Sequence, residues 1–208
     1  MSAAADLLGN LRRGITTTGE TGRDVSAFLA HHGHAHTATH CVAVTREARR
    51  IARLVGADES GAERAGWFHD VSAVIPNAER IDAAHALGVA VLPEEAAFPM
   101  IVHQKLSAML ARELFGEGDA AVLSAIGCHT TLKAGATMLD TVVFVADKIA
   151  WDQPGTPPYL AALLSALDTS LDAAAFVYLR YLWERRDTLG VVHPWFREAY
   201  RERVARVD

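Results

Sequence analysis

The chain has 208 residues at 22.4 kDa, with half of them hydrophobic and 22% charged, enough apolar material for one globular domain. Its 20 basic and 25 acidic residues leave a net charge of −5, which argues against broad binding to nucleic-acid polymers. No apolar run approaches the roughly 20 residues of a membrane span, and the opening residues lack the apolar stretch of a secretory signal.

Residues 1–22 hold four glycines and a Thr16-Thr17-Thr18 run without sustained periodicity, so a mobile extension is expected there, followed by a single helical domain over 23–208. From Asp24 onward the pattern has the helical period. A first helix is expected from Asp24 to His32. A second runs from Thr39 to Val55, with Val44, Ala48, Ile51 and Val55 on one stripe and Gly56 as its stop. The third spans Ser60 to about Ile75 and is stopped by Pro76. Asn77 caps a fourth that reaches Leu87, and Pro99 starts a fifth that closes at Gly116. Asp119 caps a sixth, ending near His129, and Thr137 opens a seventh through about Trp151. Val142-Val143-Phe144-Val145 has strand composition but sits inside a longer helical pattern, and is read as helix. After the break at Pro154–Pro158, helices follow over Tyr159–Leu167 and Ser170–Leu189, then one from Pro194. The reading is an all-α bundle with extra C-terminal helices.

Cys41 and Cys128 stand far apart and form no metal-type pair, so they read as small apolar filler in a reducing, cytoplasmic setting. Ten histidines are the unusual number. The tract His31-His32-Gly33-His34-Ala35-His36 reads as a solvated loop, and His85 as surface. His40, His69, Asp70, His103, His129 and Asp147 differ, because each falls on the inward stripe of its helix. Burying an unpaired carboxylate costs several kcal/mol or drives its pKa upward. Two carboxylates buried with four imidazoles make sense around a cation, and that donor mixture suits iron, manganese, zinc or nickel. Lys133 and Lys148 lie near His129 and Asp147 in sequence and are candidate phosphate contacts.

Thr39-His40, Ala65-Gly66-Trp67-Phe68-His69-Asp70, His103, Cys128-His129-Thr130-Thr131 and Val145-Ala146-Asp147 follow one another in the order of a known motif set. In these residues the chain resembles the HD-domain phosphohydrolases, and more narrowly their YqeK-like branch, which cleaves diadenosine tetraphosphate symmetrically to two ADP. The resemblance implies that His40, His69, Asp70 and Asp147 hold one or two metal ions, iron first among the candidates. It implies that His103 and His129 meet substrate phosphate or a second metal. A cation in that setting lowers the pKa of a water to give a nucleophile near neutral pH, with Asp70 orienting or deprotonating it and His103 and His129 stabilising phosphoryl charge. The expected partner is a nucleotide or dinucleoside polyphosphate, with no membrane and with a homodimer left open. The chain departs from the branch at Ala73 for a lysine, at Gln104 for a glycine, and at Ala150 and Gln153 for an acidic residue and an arginine. These losses motivate an alternative reading, a nucleotide-sensing module that keeps the pocket without turnover and acts through a partner interface.

Overall fold

The computed structural model describes residues 2–207, and all of its regular structure is helical, with no strand among the described residues. Five helices form the centre: α3 (Ala35–Val55), α4 (Glu59–Phe68), α7 (His103–Phe115), α8 (Ala120–Cys128) and α9 (Met138–Ile149). Around them lie α1 (Ala3–Arg12), α2 (Thr21–His31), α5 (Arg80–Ala86) and the short α6 (Pro93–Ala97). The C-terminal helices α10 (Leu160–Leu167), α11 (Leu171–Trp183) and α12 (Pro194–Val207) complete the bundle, with α10 and α11 packed on α9 and α12 on α11.

Local chemistry sets the boundaries. Gly56 takes φ 71°, a left-handed conformation that side chains resist, and so ends α3. Asp119 caps α8 by accepting from the Ala121 amide at 2.9 Å. Thr137 and Asp140 form a reciprocal capping box on α9, at 3.1 and 2.8 Å. Helix α9 contacts α3, α4, α8, α10 and α11, and Val142, Val143, Phe144 and Val145 are fully buried. A run covered on every side is apolar throughout, which gives it a strand-like composition inside a helix that otherwise keeps its amphipathic period.

The structure corrects several boundaries. The segment 1–22 carries helix α1, whose Leu11 is buried. The loop after it is tied down where Asp24 accepts from Thr18 N, Thr18 Oγ1 and Gly19 N at 2.7–2.9 Å. The expected helix Ser60–Ile75 stops at Phe68 and resumes only as a 3₁₀ turn over Val71–Val74, so His69 and Asp70 occupy a helix end. Residues 99–102 likewise form a 3₁₀ turn, and His103 opens α7. The expected helix Ser170–Leu189 breaks after Trp183, where the Trp183 ring stacks on Tyr200 at 4.6 Å.

Gly66 sits where α4 crosses α3. A Cβ at that position would lie 2.7 Å from Thr45 Cα, so the two backbones approach this closely only because residue 66 is glycine.

A second polar cluster fastens α6 to α7 and α12. Glu95, fully buried, accepts from Lys105 Nζ at 2.7 Å, from the Leu92 amide at 2.8 Å and from His193 Nε2 at 3.2 Å. Burial alone would raise the Glu95 carboxyl, but these donors outweigh it and hold its pKa below the usual value. Glu95→Ala strips the buried partners of their acceptor and is expected to cost about 3–5 kcal/mol, read by thermal or urea unfolding. Because the folded pKa is depressed, this contribution is complete above the unfolded carboxylate pKa and fades as pH falls through the folded one. The gap between wild type and Glu95→Ala should therefore narrow on acidification. A gap that is constant with pH would contradict the assignment.

Candidate metal centre

Five central elements deliver the six residues to one place. His40 projects from the second turn of α3. His69 ends α4 and Asp70 follows it, His103 opens α7, His129 follows the last residue of α8, and Asp147 stands near the end of α9. His40 Nε2 lies 3.2 Å from Asp147 Oδ1, and His69 Nε2 lies 3.7 Å from the same oxygen. His69 Nε2 is also 3.6 Å from Asp70 Oδ2, while Asp70 Oδ1 faces His103 Nε2 at 3.2 Å and His129 Nε2 at 3.5 Å. The four rings form a row, with successive centroids from His40 through His69 and His129 to His103 at 5.1, 5.0 and 4.9 Å.

Three of the histidines are oriented by the same device. His69, His103 and His129 each turn Nδ1 onto the carbonyl three residues earlier: Gly66 at 2.8 Å, Met100 at 2.6 Å and Ile126 at 2.8 Å. A ring that donates Nδ1–H to a carbonyl has its Nε2 lone pair left for a ligand, the arrangement of histidines at metal sites. The buried His69 Nε2 finds no hydrogen-bond partner within the protein, nor does His40 Nδ1.

The electrostatics fit a cation-binding pocket. Burial would raise both aspartates, yet the neighbouring imidazoles, joined at Asp147 by Lys148, hold Asp70 and Asp147 well below the usual carboxylate range. Burial drives His69 down to about 4, so it stays neutral and able to ligate. His40, also buried, is nevertheless raised by its hydrogen bond to Asp147. Among the described residues, two groups have the spacing of metal ligands, His40–His69–Asp147 and His69–Asp70–His129, sharing His69. An unpartnered buried imidazole nitrogen between two ionised carboxylates is the donor set a transition metal selects.

A family model of the HD domain matches residues 37–152, more than half of the chain and a span that contains all six residues. The chain belongs to the HD domain family. Membership places it among the phosphohydrolases that its motifs resemble. It is 47% identical over 138 residues to an uncharacterized protein in the pepC 5′ region of Lactococcus lactis, covering 66% of this chain and 70% of that protein. It is 34% identical over 116 residues to a symmetrical bis(5′-nucleosyl)-tetraphosphatase of Bacillus subtilis, covering 55% of this chain and 61% of that enzyme. The fold matches the crystal structure of a predicted HD superfamily hydrolase involved in NAD metabolism from Clostridium acetobutylicum. The TM-score is 0.81 at 22% identity, with 93% of this chain and all of that one covered. No helix among the described residues is long and apolar enough to cross a membrane.

The two lysines read as phosphate contacts lie differently in this HD chain. Lys148 is buried beside Asp147, donates to its carboxylate and to the His129 carbonyl at 3.3 Å, and lies over the Tyr178 ring. It acts as a counter-ion for that carboxylate. Lys133 bonds Ser124 Oγ at 2.6 Å and pairs with Asp140, on the wall of an approximately 420 Å³ cavity between α7 and α8. Neither of the two metal-spaced groups draws on the His31–His36 tract, where His32 bonds the Leu11 carbonyl. Both cysteines are buried and free, with thiols pushed up chiefly by burial.

Sequence reasoning gave no role to three residues beside the site, although it quoted Thr130 in the motif set and Gln104 as a departure. Thr130 Oγ1 lies 3.2 Å from His103 Nε2 and 3.1 Å from His129 Nε2. Arg80 donates to the Met100 carbonyl that also takes His103 Nδ1–H, and its guanidinium is lowered by burial despite the attraction of Asp70. Gln104, set down as a departure, bonds the Thr130–Thr131 segment. The pairing of Thr130 with the histidine before it was the one available signal.

Proposed function

We propose that this HD chain hydrolyses phosphoanhydride bonds of nucleotides, and that its substrate is a dinucleoside polyphosphate such as diadenosine tetraphosphate, cleaved symmetrically to two ADP. The observation that carries the reading is the division of labour around Asp70. One oxygen faces the metal-type histidine His69, and the other faces two further imidazoles whose Nε2 atoms meet at 3.1 Å. The likeness to the Bacillus tetraphosphatase supports the dinucleotide.

His40, His69, Asp70 and Asp147 would hold the metal, iron first among the candidates, which supplies Lewis acidity toward a phosphoryl oxygen and a water. Asp70, an acceptor on both oxygens, orients the attacking water while keeping His103 and His129 in place. Those two histidines present Nε2 to the phosphoryl group, their Nδ1 hydrogens already committed to carbonyls. Carrying a second proton, either Nε2 donates to a non-bridging oxygen where negative charge grows, the placement that favours the transition state over the ground state. Arg80, at the His103 end of the row, adds positive charge for a long polyphosphate.

The test is a screen of mononucleotides and dinucleoside polyphosphates with iron, manganese, nickel and zinc, on protein purified without a histidine tag. Products are resolved by chromatography. The expected result is ADP as the single nucleotide product from diadenosine tetraphosphate. Release of ATP with AMP, or no product from any nucleotide at high enzyme concentration, would contradict the reading, and the second outcome would favour a sensing module.

A further inference from the structure

The turn that follows α8 is held from outside, at its His129 carbonyl by Lys148 and at its next two amides by Gln104. Its residue Leu132 is fully buried with φ 54°, a left-handed backbone that is strained for a non-glycine residue. The turn closes on itself through Leu132 N to the Cys128 carbonyl at 2.7 Å. The amides of Thr130 and Thr131 point away from it and meet Gln104 Oε1 at 3.1 and 3.3 Å. Gln104 Nε2 in turn donates to Thr131 Oγ1 at 3.1 Å, and that hydroxyl donates to the Leu132 carbonyl at 2.9 Å. Two backbone N–H groups can only donate, so the atom they share fixes which end of the Gln104 amide is oxygen. Gln104 is fully buried, follows His103 on α7, and therefore stitches the helix bearing one histidine to the turn bearing the other.

We propose that Gln104 is a positioning residue that presents the Thr130 hydroxyl to a phosphoryl oxygen of the substrate, between His103 and His129; this rests on the phosphohydrolase reading. Threonine is β-branched and stiff at χ1, so fixing its backbone amide fixes its hydroxyl. Thr130 is only partly buried, and its Oγ1 lies within 3.2 Å of both Nε2 atoms that face incoming phosphate. The hydroxyl has one proton to give, and beside it stand two Nε2 atoms that can accept it; an arriving phosphoryl oxygen takes the place of the imidazole nitrogen as acceptor. Gln104 also accounts for its own presence where the resembled branch has glycine: without a side chain there, the two turn amides need another acceptor.

The experiment compares Gln104→Leu, Gln104→Glu, Thr130→Val and the double variant Gln104→Leu/Thr130→Val with wild type. Each is loaded with manganese, and metal content and thermal unfolding are recorded alongside. The readouts are the affinity for inorganic phosphate by calorimetry and kcat/KM on diadenosine tetraphosphate. Gln104→Leu should keep its metal and lose about 10–100-fold in both readouts, the scale of one misplaced donor. Thr130→Val should lose a similar factor, and the double variant should be no worse than Thr130→Val, because both act through one hydroxyl. Gln104→Glu keeps the accepting oxygen and should stay within a few-fold of wild type, which also serves if the leucine variant fails to fold. Fold-losses that multiply in the double variant, or a folded Gln104→Glu as impaired as Thr130→Val, would overturn the proposal. If wild type binds phosphate yet leaves the dinucleotide intact, the substrate reading falls and the phosphate affinities alone judge Gln104. If wild type binds no phosphate, both fall.

Discussion

Asp147→Ala and His40→Ala will each lose metal and turnover together. Asp147 Oδ1 is the oxygen common to His40 and His69, at 3.2 and 3.7 Å, so removing it leaves two imidazoles and no charge in their group. It also strands Lys148, a buried cation whose ion-pair partner is that carboxylate. Loss of an outer partner of a metal ligand already costs about 10–100-fold in metal affinity, and loss of a charged ligand costs more. Elemental analysis should find one to two transition-metal ions per wild-type chain and only traces in either variant, with hydrolysis falling in proportion. Asp70→Ala should lose most of its metal as well. Full retention of metal in that variant would remove Asp70 from the ligand set.

His103→Ala and His129→Ala should behave in the opposite way, keeping most of the metal while turnover drops roughly 10²–10³-fold, the scale for removing one electrostatic stabiliser of a transition state. His103 is absent from both groups with metal spacing, whereas His129 belongs to the second with His69 and Asp70. The two variants therefore also separate one ion from two. If a second ion sits at Asp70 and His129, the His129→Ala protein loses half its metal and keeps the first ion. Retention of full activity in both variants would contradict the role given to the row of imidazoles.

The order and helical spacing of the six residues along the chain were enough to expect that they converge, although His69 and Asp70 lie just past the helix whose stripe was expected to carry them. The run Val142–Val145 was legible as helix only because Leu139 and Asp147 extend its period beyond the length of a strand. The end of α4 was not legible. The Ala65–Val74 pattern continues the helical period, and the helix stops through one local bond, His69 Nδ1 to the Gly66 carbonyl, and through tertiary bonds from Ser72 across to Ser107 and the His103 carbonyl. Helix α1 escaped because ten residues around Leu7, Leu8 and Leu11 give too short a stripe beside so many glycines. Thr130 and Gln104 carry no periodicity at all. Their role exists only once α7 and the turn after α8 lie side by side, which a linear pattern cannot express.

The central claim is that these histidines and aspartates hold a metal. The most direct measurement is an anomalous difference map from crystals of untagged protein grown with manganese or iron, recorded at the metal edge. The account predicts a peak in contact with His69 Nε2 and the carboxylates of Asp70 and Asp147. A map without a peak there, or with one only at the His31–His36 tract, would contradict it.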